Sequence, residues 1–136
     1  VTRWIVLIAG LLGMAGVAIG AFAAHGLPKD LAAQGLDATE IAKRLEQCEI
    51  AVRYHMFHAL ALLVLGLSPS SRGLRRTAAA AIFILLGIAM FSGGLYSMVF
   101  TGVMGHWAIV PCGGLCMLIG WGCVTSLALG SADRDE

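Results

Sequence analysis

Charge is what this chain has least of. Nine Lys and Arg and eight Asp and Glu make up 12% of its 136 residues, against 59% hydrophobic residues. The charges gather in Lys29–Arg53, Arg72–Arg76 and Asp133–Glu136, with long charge-free runs between. No basic run is suited to tracking a phosphate backbone, so nucleic acid is excluded as a partner. There is no Ser/His/Asp order, no HExxH and no pair of carboxylates inside an apolar run. Hydrolysis and proton pumping are therefore unsupported, and an enzyme is not expected. Cys48, Cys112, Cys116 and Cys123 lack the spacing of a secreted scaffold, and three of them lie in one apolar stretch. A disulfide framework is excluded on that ground.

What is present is hydrocarbon. A helix crossing a ~30 Å core needs about 20 mostly apolar residues at ~1.5 Å each. Trp4–Ala24, Thr77–Val99 and Trp107–Gly130 meet that length outright. Tyr54–Leu67 meets it only if its helix starts earlier and carries Cys48, Glu49 and Arg53 into the interfacial layer. The expected fold is an all-α integral membrane four-helix bundle, up-down-up-down, with an amphipathic extension before helix two. It forms one membrane domain over residues 1–136, with spans of about 4–24, 49–67, 77–99 and 107–130. Arg3, the apolar run and Ala21-Phe22-Ala23 together have the outline of a cleavable leader. The run is long for one, and an uncleaved first helix is expected.

Ala9, Gly13, Gly16, Gly20 and Ala24 recur at helical spacing, a ridge that lets backbones approach where lipid offers no apolar driving force. Gly26 and Pro28 are read as stopping the helix, with a loop to Asp37. Asp37 or Thr39 then caps a helix expected to run from about Ala38 to Leu67. Its first turns pair Glu40 with Arg44 and Glu49 with Arg53 at i,i+4. Ile41, Leu45, Cys48 and Val52 form a stripe suited to lying on the membrane surface. Gly93, Gly113, Gly114 and Gly120 fall inside apolar helices as packing positions, and Pro111 is expected to kink helix four. The short turn Ser68–Arg76 carries three arginines, which places it and both termini on the cytoplasmic side.

The chemistry-bearing residues cluster in Arg53-Tyr54-His55-Met56-Phe57-His58. Alternating passage of four helices brings His25, Tyr96 and His106 to the same membrane face. His55 and His58 at i,i+3, and Tyr54 and His58 at i,i+4, share a helix face. A polar cluster of His25, Arg53, Tyr54, His58, Ser92 and Tyr96 is therefore expected at the outer face. It either hydrogen-bonds internally, needing no cofactor, or binds a ligand. Candidate ligands are a metal at His55 and His58, a haem held by a histidine pair, or a lipid or quinone head group. Paired histidines on one helix suit a metal better than a haem sandwich, which needs opposed rings. Buried polar groups are ordinarily satisfied hydrogen bonders, and the structural reading is preferred. Cys112, Cys116 and Cys123, with Met117 nearby, share a face that suits a soft ion. A buried thiol with no neighbouring cation stays protonated, so packing is the better reading there.

Gly20-Ala21-Phe22-Ala23-Ala24-His25-Gly26-Leu27, Arg53-Tyr54-His55-Met56-Phe57-His58-Ala59-Leu60-Ala61-Leu62, Phe91-Ser92-Gly93-Gly94-Leu95-Tyr96 and Pro111-Cys112-Gly113-Gly114 occur in that order. Together they resemble the domain-of-unknown-function 423 family of small four-span bacterial inner-membrane proteins, over nearly the whole chain. The family pattern maps onto His25, Tyr54, His58, Ser92, Tyr96, Pro111, Gly113 and Gly114. The chain departs from it at Ala23 and Gly94, and Pro28–Asp37 is longer. The resemblance implies four spans and an inner-membrane location, and it carries no reaction. The expected function is that of a non-enzymatic accessory or structural subunit, packed in the bilayer against a larger membrane complex or its own copies. The alternative is a binding protein for one of the ligands above, and a third reading is a small-solute channel or transporter.

Overall fold

The computed structural model describes residues 2–68, 74–103 and 105–129. Most of the expected arginine turn, residues 69–73, and the charged tail, residues 130–136, lie outside the described residues. Helix α1 (Thr2–His25) is apolar almost throughout. It is followed by α2 (Leu27–Ala33) and by α3 (Ala38–Leu67), where Asp37 caps the helix by accepting the Glu40 amide at 2.9 Å. α4 (Leu74–Gly87) and α5 (Gly93–Thr101) are two halves of one rod. They are joined by a π-helical segment, Ile88–Ser92, across which the Gly93 amide donates to the Ile88 carbonyl. Gly102 ends α5 at φ 69°, a left-handed cap that a side chain would strain. α6 (Ile109–Leu129) completes the set, and no strand occurs among the described residues. Four rods, α1, α3, α4–α5 and α6, are long and apolar enough to cross a membrane.

α3 is the central rod. It packs on one side against α1 and on another against α4–α5, which in turn holds α6. Small residues set the close approaches. On the α1–α3 seam Gly16 faces Met56, Gly20 faces Val52 and Gly66 faces Val6, so the two helices run antiparallel and Met14, halfway along α1, lies level with His58. On the α4–α6 seam Gly87 faces Met117 and the Gly113 carbonyl, Gly120 faces Ile84, and Gly113 rests on the backbone of Met90 and Phe91. In lipid these contacts gain dispersion energy that larger residues would forbid. Of the other expected packing positions, Gly114 touches Phe91, whereas Gly13 meets nothing and Gly93 nothing beyond its own rod. Gly66 and Gly87 join the set from the structure.

The core has two apolar clusters. One holds Ile5, Ala9, Leu62, Leu65, Ile84, Ile88 and Met117, and the other Leu27, Leu31, Cys48 and Val99. His55, His58 and Ser92 are buried at the levels between them.

Three expectations are corrected. Residues 27–33 form a helix rather than a loop, because Pro28 sits at its first turn, where a missing amide costs nothing. Leu27 and Leu31 of that helix are buried. They and Val99 of α5 cover the Ile41–Leu45–Cys48–Val52 stripe, so protein and not the bilayer surface packs on it. α6 begins at Ile109, so Pro111 lies in its first turn and does not kink it.

Candidate functional site

His58 is held from both sides. A backbone carbonyl can only accept and an indole N–H can only donate. The ring Nδ1 lies 2.7 Å from the Tyr54 carbonyl and Nε2 lies 3.1 Å from the Trp121 indole nitrogen. Nδ1 therefore carries the hydrogen and donates, while Nε2 accepts. That leaves the ring no spare lone pair for a metal. Tyr54 stacks on the ring at 6.1 Å and 12°, and Phe91 lies 4.8 Å from Tyr54. His58 is buried and lies level with the middle of α1, whereas Tyr54 and Trp121 are partly exposed on the outside of the bundle.

His55, three residues earlier, is turned to other neighbours. Its Nδ1 is 3.2 Å from the Tyr96 hydroxyl, and its ring lies against Gly16 of α1. Nε2 is sealed from solvent with no partner in hydrogen-bonding geometry, although the Leu12 carbonyl faces the ring. His55 and His58 thus diverge, one toward α1 and α5, the other toward α6. Among the described residues no group of three or more His, Cys, Asp or Glu is placed to share a metal.

Ser92 is fully buried in the π segment and its hydroxyl has no partner. In an ordinary helix it would donate to the carbonyl four residues back. Here the Ile88 carbonyl is taken by the Gly93 amide across the wide turn. Replacing Ser92 by Ala should raise stability by about 1 kcal/mol, since an unsatisfied buried hydroxyl is removed with little loss of volume. Thermal melting in detergent reads it, and a lower melting temperature would mean the hydroxyl works with a partner.

The remaining expected members are dispersed. His25 is exposed at the end of α1, level with residue 47 of α3 and so roughly 12 Å along the axis from His55. Arg53 is exposed and pairs with Glu49. His106 is exposed, stacked on Trp107, and accepts the Ala108 amide at the entry to α6. Cys112 is exposed and Cys116 and Cys123 are partly buried, all as free thiols.

Two residues escape a reading of the sequence. Trp121 was signalled by position alone: an indole in mid-span is away from the watery belts where its N–H finds a partner, so it needs an acceptor inside. Arg44, though noticed as a surface partner of Glu40, does more. It pairs with Glu40 at 3.0 Å, reaches the Val99 carbonyl at 3.3 Å, and lies against Gly102. A cation thereby meets the exposed carbonyls at the end of α5. Arg44, and after it Lys43, hold the Glu40 carboxyl below its ordinary 4.5.

Four apolar rods long enough to cross a membrane, tied by the His58–Trp121 and His55–Tyr96 contacts, define the class: a polytopic α-helical membrane protein. The family described as "Protein of unknown function (DUF423)" matches residues 19–114, and the chain belongs to it. It is similar to a UPF0382 membrane protein of Haemophilus influenzae, 39% identical over 95% of this chain and 93% of the relative. It is also similar to UPF0382 membrane protein YwdK of Bacillus subtilis, 32% identical over 85% and 88% of the two chains. UPF0382 inner membrane protein YgdD of Escherichia coli is 31% identical over 88% and 85%. No solved structure gives a significant match.

Proposed function

We propose that the chain is a non-enzymatic accessory subunit of the bacterial inner membrane, both termini cytoplasmic, that packs against a helix of a larger membrane protein or of its own copies. The observation that carries this reading is on α1. Gly16 and Gly20 are used inside the chain, whereas Gly10 and Gly13 open onto a shallow groove of about 550 Å³ and a Cβ at either would meet nothing. Met14, Val17, Ala18 and Met56 complete its lining. Helix association in lipid depends on close backbone approach, which an unfilled glycine face supplies. The His55–Tyr96 and His58–Trp121 contacts, with Tyr54 stacked on His58, then serve to hold the rods in register. The name of the E. coli relative places that protein in the inner membrane.

Gly13→Ile tests this. Wild-type protein taken from its membrane in mild detergent should carry a co-purifying membrane protein or run as an oligomer. The variant should lose that association while melting as before. A monomeric wild type with no companion protein would overturn the reading, as would a variant that still associates.

A further inference from the structure

A hollow of about 220 Å³ opens where α5 ends and α6 begins. α5 lines it with Gly94, Ser97 and Met98, α6 with Val110, and the turn between them with His106 and Trp107. Its floor is set where Gly94 meets Val110. The α4–α5 rod, Leu74–Thr101, has its middle at about residue 88. Gly94 therefore lies roughly 9 Å from that middle and Met98 roughly 15 Å. The half-thickness of a hydrocarbon core is also ~15 Å. The apolar floor is thus at acyl-chain depth, and His106 and Trp107, which precede α6, stand farther out at the rim.

The polar side chains at the rim are donors. His106 accepts the Ala108 amide through Nδ1, so its neutral ring carries the hydrogen on Nε2. Trp107 adds an indole N–H and Ser97 a hydroxyl, and among the described residues none of these three donors meets an acceptor. No Lys, Arg, Asp or Glu lines the hollow, so it does not select by charge. An occupant must bring an acceptor to the core edge and hydrocarbon beneath it. The volume falls below the ~300 Å³ at which a site encloses a whole small molecule, so only part of a larger one enters. We infer that the hollow takes the upper stretch of one acyl chain of an ester-linked lipid. The ester carbonyl accepts from the Trp107 indole and the Ser97 hydroxyl, and the His106 N–H is left for the phosphate oxygens above. A bilayer holds its ester carbonyls at this depth, whereas a partner helix has its own carbonyls already bonded. Ser97 and Trp107 are exposed in the wall, so the rest of the chain runs out into the bilayer between them. The hollow shares no residue with the glycine groove of α1, and Gly13→Ile leaves it intact.

The test uses purified protein in mild detergent. The probes are dioleoyl phosphatidylglycerol, its dioleyl ether analogue and dioleoyl phosphatidylethanolamine, and native mass spectrometry counts the lipids retained. Wild type should hold one diester lipid about tenfold more tightly than the diether, the scale of one good hydrogen bond. It should not distinguish the two head groups. Ser97→Ala with Trp107→Phe, which removes two donors at exposed positions, should abolish the preference for the ester. Ser97→Phe, which fills the hollow, should lose the bound lipid while melting unchanged in lipid-free detergent. Equal retention of diester and diether by wild type would overturn the assignment, and so would no retention at all, which leaves the donors to water. The same holds for retention of one head group only, for a double variant that still prefers the ester, and for a folded Ser97→Phe protein that binds as wild type does.

Discussion

Gly113→Ala should destabilise the bundle by about 3 kcal/mol or more, whereas Gly16→Ala should cost less than about 1 kcal/mol. Both glycines face a neighbouring rod, and a Cβ at either would overlap it. What differs is the neighbour. At Gly16 the overlapped atom is the Met56 sulfur, the far end of an unbranched side chain that swings away cheaply. Alanine also gains roughly 1 kcal/mol over glycine in a helix interior, which offsets much of the remaining strain. At Gly113 the overlapped atom is the Phe91 backbone nitrogen, with the Met90 carbonyl carbon and Cβ both at 2.9 Å. Those atoms belong to the π segment and have no rotamer to move to. The segment must shift as a body, or α6 must leave it, and both routes break contacts with Gly87 and Met117. Thermal or denaturant unfolding in detergent measures the pair. Equal losses would mean that α6 does not rest on the π segment.

That contrast separates what the sequence shows from what it does not. Rods were legible, because a run of about 20 apolar residues has few other fates. α3 was read as Ala38–Leu67, and the structure has those bounds with Asp37 as its cap. Punctuation was less legible. Gly26 and Pro28 are stop signals when read backward from α1 and start signals when read forward into α2, and composition does not choose between them. The π segment left no mark beyond Gly93-Gly94, a weak pattern. Gly66 and Gly87 give no packing signal of their own, because a lone glycine in an apolar run belongs to no ridge.

Alternation of direction tells which end of a rod a residue is near but not how far along the axis it lies. His25 and His55 were assigned to one end on that argument. Yet the α1–α3 register sets His25 level with residue 47 of α3, more than two turns from His55. The same register carries His58 into mid-span. There an imidazole cannot rely on water, and a partner on another helix becomes necessary. The sequence contained that partner, Trp121, but periodicity within one helix does not say which side chain faces it across the bundle.

The His58–Trp121 pair yields the second large effect. His58→Ala should cost about 2–4 kcal/mol, because it opens a cavity beside Tyr54 and leaves the indole N–H without an acceptor. Trp121→Phe keeps most of the ring volume and should cost about 1 kcal/mol, near the average of a hydrogen bond between membrane helices. The informative variant is the double replacement His58→Ala with Trp121→Phe. If the bond holds the rods, removing both polar groups leaves nothing unsatisfied between them. The double variant should then be more stable than the sum of the two single losses by about 1 kcal/mol. Additive losses would mean that the ring and the indole merely pack. A structural imidazole also has a spectroscopic signature, since a Tyr54 carbonyl on one side and an indole on the other permit only the Nδ1–H form. Nitrogen-15 NMR of the protein in bilayers should find His58 in that form, unchanged on adding zinc. A hydrogen on Nε2, or a resonance that moves with the metal, would free a lone pair and return His58 to the list of ligands.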